Sequence, residues 1–251
     1  MELQSNLSTL QKNGIQPYAI SYDPVDTLHA FAAQHGITYP LLADVHSEVI
    51  RAFDIFNDLV PKGHRWYGVP FPGTYMVNAD GIVIDKSFYA NHGVRDSVAN
   101  MLQENFHLTP AGRPAHTLET EDLKATARLS SSTIRRGQVQ TFTLDIEIKK
   151  GRHIYSPNIT GGYTPTKVLF DSIEDLQIDE VTYPAAELIS ILNEDVAVYT
   201  DRLTLKATLR SRCQENVTVR AHLDYQACDE RECYLPQQLT FELPLTYLDN
   251  I

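Results

Sequence analysis

Apolar residues recur with two different periods in this chain. Over residues 1–107 the period is mostly helical: Leu3, Leu7 and Leu10 lie on one helical face and the pattern stops at Asn13-Gly14. Residues 17–22 (Pro-Tyr-Ala-Ile-Ser-Tyr) then read as a buried strand ended by Asp23-Pro24. Asp26 is placed to cap a helix carrying Leu28, Phe31 and Ala32, which stops at His35-Gly36, and Tyr39 to Asp44 is a short extended piece. Ser47 opens a further helix with Val49, Ile50 and Phe53 on its apolar side. A loop rich in Gly and Pro covers residues 60–72. Beyond it, Thr74–Val77 and Ile82–Ile84 form a hairpin around Asn78-Ala79-Asp80-Gly81. Residues 94–106 close the unit as a helix with Val98, Met101 and Leu102 inward, and this alternation of elements predicts a three-layer α/β domain.

Helical signal ends where Pro and Gly cluster, in residues 108–115, which predicts a linker permitting relative domain motion. Beyond it the period changes to two. Leu123–Leu129, Val139–Ile148, Lys167–Phe170, Leu203–Leu209, Val217–Tyr225 and Gln238–Leu245 alternate as strands do, and six or more such runs separated by turn signals predict a β-sandwich over residues 116–251. A chain of 251 residues is long enough for two domains, each with its own core.

The last two of those runs flank Tyr225-Gln226-Ala227-Cys228-Asp229-Glu230-Arg231-Glu232-Cys233-Tyr234-Leu235-Pro236, which holds two of the three cysteines. Read as a hairpin with a four-residue polar break, it sets the two cysteines opposite one another. Their Cα atoms are then roughly 4.5 to 5.5 Å apart, a separation a disulfide accepts. Closing so short a loop removes little chain entropy, so stability is a weak reason for such a bond. Asp229, Glu230 and Glu232 raise the thiol pKa, which suits a disulfide attacked by a partner's thiolate better than an initiating nucleophile. An inert hairpin staple is the competing reading. A zinc site lacks a second pair of ligands at suitable spacing.

The segment Tyr225-Gln226-Ala227-Cys228 with Cys233 and Pro236 resembles the active-site hairpin of the N-terminal periplasmic domain of DsbD-type thiol:disulfide interchange proteins. Residues 198–209 (Val-Tyr-Thr-Asp-Arg-Leu-Thr-Leu-Lys-Ala-Thr-Leu) and Gly151-Arg152-His153-Ile154-Tyr155-Ser156 are similar to a strand and a turn of the same domain. The resemblance covers residues 116 to 251. It implies an immunoglobulin-like fold, a Cys228–Cys233 pair that shuttles between disulfide and dithiol, supporting roles for Tyr225, Pro236 and Tyr155, and a thioredoxin-like or DsbD-like thiol protein as electron donor or acceptor. In that family an aromatic cap loop shields the pair. The corresponding residues here, 190–195 (Ser-Ile-Leu-Asn-Glu-Asp), contain no Phe or Tyr, and no cap residue is carried over.

Residues 1–107 resemble a thioredoxin-fold peroxiredoxin of the thiol-specific antioxidant type. The matching phrases are Ala19-Ile20-Ser21-Tyr22-Asp23, Phe31-Ala32 with Gly36-Ile37, residues 39–44, and Phe71-Pro72-Gly73-Thr74-Tyr75-Met76-Val77 running on through Gly81. This resemblance makes Pro72, followed by Thr74, the candidate for the cis-proline that faces the redox centre. The family's catalytic cysteine lies at the start of the first core helix, within which this chain begins, and no cysteine precedes Cys213. The strand missing with it belongs between residues 17–22 and 74–77, leaving a gap in the sheet. Either the chain is a fragment, the reading preferred, or this half is a scaffold without its chemistry.

Composition narrows the function class. A net charge of −11 argues against nucleic acid and anionic membrane surfaces as partners, and no apolar run approaches the roughly 18 residues needed to span a bilayer. The first residues, Met1-Glu2-Leu3-Gln4-Ser5-Asn6, lack the basic and apolar parts of a signal peptide. A cytoplasmic protein follows if Met1 is the true start, whereas the DsbD-like half points to periplasm or cell envelope, where disulfides persist. His64, His92 and His107 form no i, i+4 pair, so no metal or cofactor is expected. Trp66, within Arg65-Trp66-Tyr67-Gly68, either lines a partner groove near Pro72 or packs beneath the loop. Tyr155 and Tyr225 either flank the disulfide or fill the core, and Cys213 is read as an unpaired turn residue. The expected function is a redoxin-type thiol-disulfide oxidoreductase acting through Cys228 and Cys233, in support of peroxide reduction or disulfide correction. The alternative is a non-catalytic interaction module with a structural disulfide.

Overall fold

The computed structural model describes residues 2–89, 93–106, 108, 113–159, 162–191 and 194–249. They fall into two compact units, Met1–Val98 and Ala99–Asn250.

In the first unit, helices α1 (Glu2–Ser5), α2 (Leu7–Lys12), α3 (Val25–His35) and α4 (Glu48–Ala52) alternate with strands β1 (Ala19–Ser21), β2 (Leu41–Ala43), β3 (Gly73–Val77), β4 (Val83–Phe88) and β5 (Arg95–Asp96). Helix α3 ends as the sequence predicts: Gly36 adopts a left-handed conformation at φ 61° and its N–H closes on the Ala32 carbonyl. It begins at Pro24 and not on a capping Asp26, whose side chain makes no cap bond and lies inside the first turn. Helix α4 opens at Ser47 as the sequence predicts, but its side-chain cap bonds come from another residue. The Ser47 hydroxyl donates to the Gly68 carbonyl, and Asp44 receives the N–H groups of Glu48 and Ile50 at 2.9 and 2.8 Å. The hairpin of β3 and β4 forms around Asn78, whose side-chain oxygen accepts the N–H groups of Asp80 and Ile82.

Strand β1 pairs parallel with β2, β3 pairs antiparallel with β4, and among the described residues no strand joins the two pairs. The continuous layer of a three-layer α/β domain is thus absent, in keeping with the gap expected between β1 and β3. Its consequence is exposure: Leu42, Ile82, Val83 and Ile84 stay open to solvent. The peptide bond before Pro72 is trans, which corrects the cis-proline expectation, since no described bond is cis. Trans is the form favoured by the X–Pro bond itself, by about 0.5–1 kcal/mol.

The second unit holds helix α5 (Val98–Phe106, from Ala99 on) and strands β6 (Ala115–Glu119), β7 (Leu123–Leu129), β8 (Thr133–Ile134), β9 (Gln138–Ile148), β10 (His153–Tyr155), β11 (Lys167–Phe170), β12 (Leu176–Ile178), β13 (Glu187–Ile191), β14 (Glu194–Tyr199), β15 (Arg202–Ser211), β16 (Val217–Tyr225), β17 (Ala227–Cys228) and β18 (Gln237–Tyr247). One sheet has the order β12-β15-β9-β7-β6, a second β11-β16-β18-β8, and a third β13-β14-β10-β17. The inward residues of β7, β9, β15, β16 and β18, among them Phe142, Leu144, Leu205, Leu223 and Phe241, share one apolar core. Period-two burial in β15, β16 and β18 is what puts them there. Strand β9 is buried on both faces because α5 lies on its outer side, where Thr141 donates to Asn100 at 2.7 Å and Lys206 of β15 meets Glu104 at 2.8 Å. This helix, expected to close the first unit, belongs to the second from Ala99 on.

Candidate functional site

Strands β16 and β18 pair from Val217–Leu245 to Tyr225–Gln237, so the long hairpin closes before the cysteines are reached. Residues 226–236 form an excursion whose first part, β17, leaves that sheet to pair with β10 of another, setting Ala227 opposite Ile154 and Cys228 opposite His153. The expected four-residue hairpin survives only at the tip. There Tyr234 N–H donates to the Ala227 carbonyl at 2.8 Å and Asp229 N–H to the Glu232 carbonyl at 2.9 Å. This is the pattern of a non-hydrogen-bonded antiparallel pair, in which opposed side chains approach closest. Cys228 and Cys233 occupy that pair, with Cα atoms 4.0 Å apart, and are joined by a disulfide.

Side chains fix the tip. Asp229 accepts the N–H groups of Arg231 and Glu232 at 2.8 and 3.0 Å and the hydroxyl of Tyr234, and these bonds, the tyrosine's foremost, hold its carboxyl at about 2. Of the three loop acids, it is thus a structural anion at neutral pH. The Arg152 guanidinium sits 3.9 Å from the centre of the Tyr234 ring and 3.2 Å from Asp122. Gln226 donates to the Tyr234 carbonyl and accepts the Thr164 N–H, each at 3.0 Å, tying both ends of the excursion down.

The two sulfurs have unlike surroundings. Cys228 is 1% exposed in a small apolar cluster with Tyr155, Val196 and Val198, against which Ile159, Tyr163 and Ile189 pack. Cys233 is exposed. The fully buried Tyr155 directs its hydroxyl at both, 3.0 Å from Cys228 Sγ and 3.3 Å from Cys233 Sγ, and since disulfide sulfurs carry no hydrogen, the tyrosine is the donor. Burial pushes its pKa up to about 12, so the hydroxyl keeps its proton. One face of its ring stacks on Tyr163 at 4.4 Å, and His153 meets it edge-on at 5.5 Å.

Of the residues singled out in the sequence, Cys228, Cys233 and Tyr155 come together. Tyr225 does not: it is buried in the main core with its hydroxyl on Thr120 and Gln237, each at 3.0 Å. Pro236 is exposed and only leads the chain back into β18. Pro72 and Thr74 belong to the other unit, where Thr74 pairs with Ser87. Cys213 is unpaired as expected but buried, and burial raises its thiol pKa. Trp66 is 52% exposed and does not pack beneath its loop, and His64 accepts the N–H of Trp66. His92 and His107 lie outside the described residues, as do Leu192 and Asn193 of the cap region, whose neighbours form the β13–β14 hairpin. Among the described residues no cluster of His, Cys, Asp or Glu is suited to a metal. Sequence reasoning missed His153 and Tyr163, which reach the site from far along the chain, one by strand pairing with Cys228 and the other by stacking on Tyr155, and it missed the anchoring contacts of Gln226 with Tyr234 and Thr164.

Comparison with known proteins bears on this site directly. The sequence model of the family "Thiol:disulfide interchange protein DsbD, N-terminal" matches residues 120–245, about half of the chain and the whole of the cysteine excursion. The chain belongs to the DsbD N-terminal family. Its residues 1–86 match the AhpC/TSA family. Curated relatives of that first part include alkyl hydroperoxide reductase E of Mycobacterium tuberculosis, 31% identical over 84 residues, which are 33% of this chain and 50% of that protein. Peroxiredoxin Bcp of Escherichia coli is 28% identical over 106 residues, covering 41% of this chain and 66% of that one. The chain therefore spans about half to two thirds of the length of these relatives. Among solved structures, the N-terminal periplasmic domain of ScsB from Proteus mirabilis aligns with 51% of this chain and 49% of that one at 13% identity and TM-score 0.39. The reduced DsbD N-terminal domain of Neisseria meningitidis aligns with 55% and 90% at 15% identity and TM-score 0.33. Both families carry thiol-disulfide redox chemistry in general.

Proposed function

We propose that the chain is a thiol-disulfide oxidoreductase that exchanges electrons through Cys228–Cys233 with a thioredoxin-like or DsbD-like thiol protein. The observation that carries this reading is the asymmetry of the pair: an exposed cysteine bonded to a buried one, with a protonated tyrosine hydroxyl within 3.3 Å of both sulfurs. A partner thiolate attacks Cys233 Sγ, on the exposed residue, forming a mixed disulfide, and the S–S electron pair leaves on Cys228 Sγ. Tyr155 donates to the thiolate as it forms. A second partner thiolate then attacks the partner's sulfur in the mixed disulfide and releases Cys233, leaving a dithiol here and a disulfide there. Leu235, 85% exposed two residues beyond Cys233, gives an incoming partner apolar surface beside the reacting atom.

The β unit as an immunoglobulin-like sandwich is part of the same reading, supported by two sheets that share one core. A cell-envelope location is supported by the family of residues 120–245. Among the described residues no helix is long and apolar enough to cross a membrane. A role in peroxide reduction or disulfide correction rests on the fusion of the two families, because no cysteine precedes Cys213. Equilibration with a dithiol buffer tests the exchange itself. A reduction potential above about −300 mV is expected, and a lower value would mark a structural bond.

A further inference from the structure

His153 is the one group at this site that the exchange chemistry leaves without a task. It is 9% exposed, and its Nε2 is buried with no hydrogen-bond partner. Such an atom is destabilising unless another state of the protein supplies a partner. Its place in the ladder says which state. His153 and Cys228 are directly opposed across β10 and β17, so their side chains leave the sheet on the same face with Cβ atoms about 4.5–5.5 Å apart. In the disulfide no sulfur bears a hydrogen. In the dithiol, Cys228 Sγ is released from Cys233, rotates about χ1 and carries an S–H.

We propose that His153 is the proton acceptor of Cys228, its Nε2 receiving the Cys228 S–H whenever the pair is reduced. The assignment rests on the exchange reading above. When the dithiol reduces a partner disulfide, the Cys233 thiolate attacks it, forming a mixed disulfide and releasing one partner thiolate. Cys228 then gives its proton to Nε2 and its thiolate attacks Cys233 Sγ. The Cys228–Cys233 bond closes, the second partner sulfur leaves as thiolate, and the imidazolium returns its proton to that sulfur or to water. Two electrons pass to the partner and none is unaccounted for. The surroundings suit the role. Burial lowers the imidazole pKa and keeps it a neutral acceptor at rest, while the nearby Asp229 carboxylate favours the transient cation. Tyr155, on the same face, stays protonated.

Because the acceptor has a partner only in the dithiol, it favours reduction. The full chain is equilibrated with reduced and oxidised glutathione, and the dithiol fraction is read by alkylation and mass analysis. His153→Phe is expected to shift the equilibrium about tenfold toward the disulfide, which is about 30 mV for a two-electron couple, and His153→Gln, which keeps an acceptor, to stay within about threefold of wild type. Ring 15N NMR of the unsubstituted chain gives a second readout that does not depend on a variant folding. The Nε2 resonance is expected to move on reduction. A wild-type pair that exchanges normally while Nε2 stays unshifted, or while folded His153→Phe equilibrates like wild type, overturns the assignment of His153 and leaves the exchange reading standing. A wild-type pair that no thiol buffer reduces overturns both.

Discussion

Removing the Tyr155 hydroxyl by Tyr155→Phe isolates the electrostatic part of the proposed exchange. The ring stays, and with it the contacts to Tyr163 and His153, so the fold loses only the contribution of one neutral hydrogen bond, about 0.5–1.5 kcal/mol. The reacting sulfurs lose more. A disulfide sulfur is a weak acceptor, whereas the thiolate leaving on Cys228 is charged, and hydrogen bonds to charged groups are worth about 1.5–3 kcal/mol. The hydroxyl, 3.0 Å from that sulfur, therefore binds the transition state more strongly than the ground state by about 1–2 kcal/mol. At 1.36 kcal/mol per decade, reduction by excess dithiothreitol is expected to slow by about 5- to 30-fold. Stopped flow under pseudo-first-order conditions, with the dithiol product trapped by alkylation, reads that rate. Since Tyr155 ionises only at about 12, the ratio of the two rates should hold between neutral pH and about pH 9. A folded Tyr155→Phe reduced within about twofold of the wild-type rate would refute the leaving-group argument.

The asymmetry of the sulfurs makes the single-cysteine variants unequal. With Cys228→Ser the exposed Cys233 should form a mixed disulfide with glutathione at least about tenfold faster than the buried Cys228 does in Cys233→Ser, as intact mass analysis at timed intervals would show. Cys213 should resist Ellman's reagent in the native chain and react once denaturant exposes it, because it is buried and its thiol pKa is raised. For Asp229 the sign follows from its folded value of about 2 against an unfolded value near 3.9. Its stabilisation is present above about pH 4 and is lost as pH falls toward about pH 2. Melting curves of wild type and Asp229→Asn should therefore differ at neutral pH and converge at the acid end of that window.

What the sequence made legible is what short-range chemistry encodes. The Asn78 turn, the Gly36 helix stop and the alternation in β15, β16 and β18 all rest on residues within a few positions of one another, and all are where the pattern places them. The cysteine hairpin was half legible. Alternation located its arms, but it carries no sign that Gln226 and Pro236 bracket an excursion into another sheet. Asp44, and not Ser47, anchors α4 because capping depends on which oxygen reaches the free N–H groups, and either residue type fits. His153 and Tyr155 meet sulfurs far along the chain, so only the pairing of β10 with β17 could reveal them. Tyr225 failed as a flanking residue for a related reason. It sits on the last rung of β16, on the face turned to the main core, while the cysteines belong to the neighbouring sheet.

The turn that carries the disulfide is also held by contacts in which neither sulfur takes part. Two backbone hydrogen bonds, the Asp229 side-chain contacts and both Gln226 contacts involve neither sulfur. The sulfurs are five residues apart, and for so short a loop the chain-entropy relation gives only about 2 kcal/mol of stabilisation, near the low end for disulfides. Reduction should therefore leave the second unit folded. Urea denaturation with and without reductant, followed by far-UV circular dichroism, is expected to show an unfolding free energy lowered by no more than that increment and an unchanged native signal. Cooperative loss of the sheet signal on reduction alone would mean that the cross-link bears the fold, and a pair on which the fold depends is unsuited to being opened and closed by a partner.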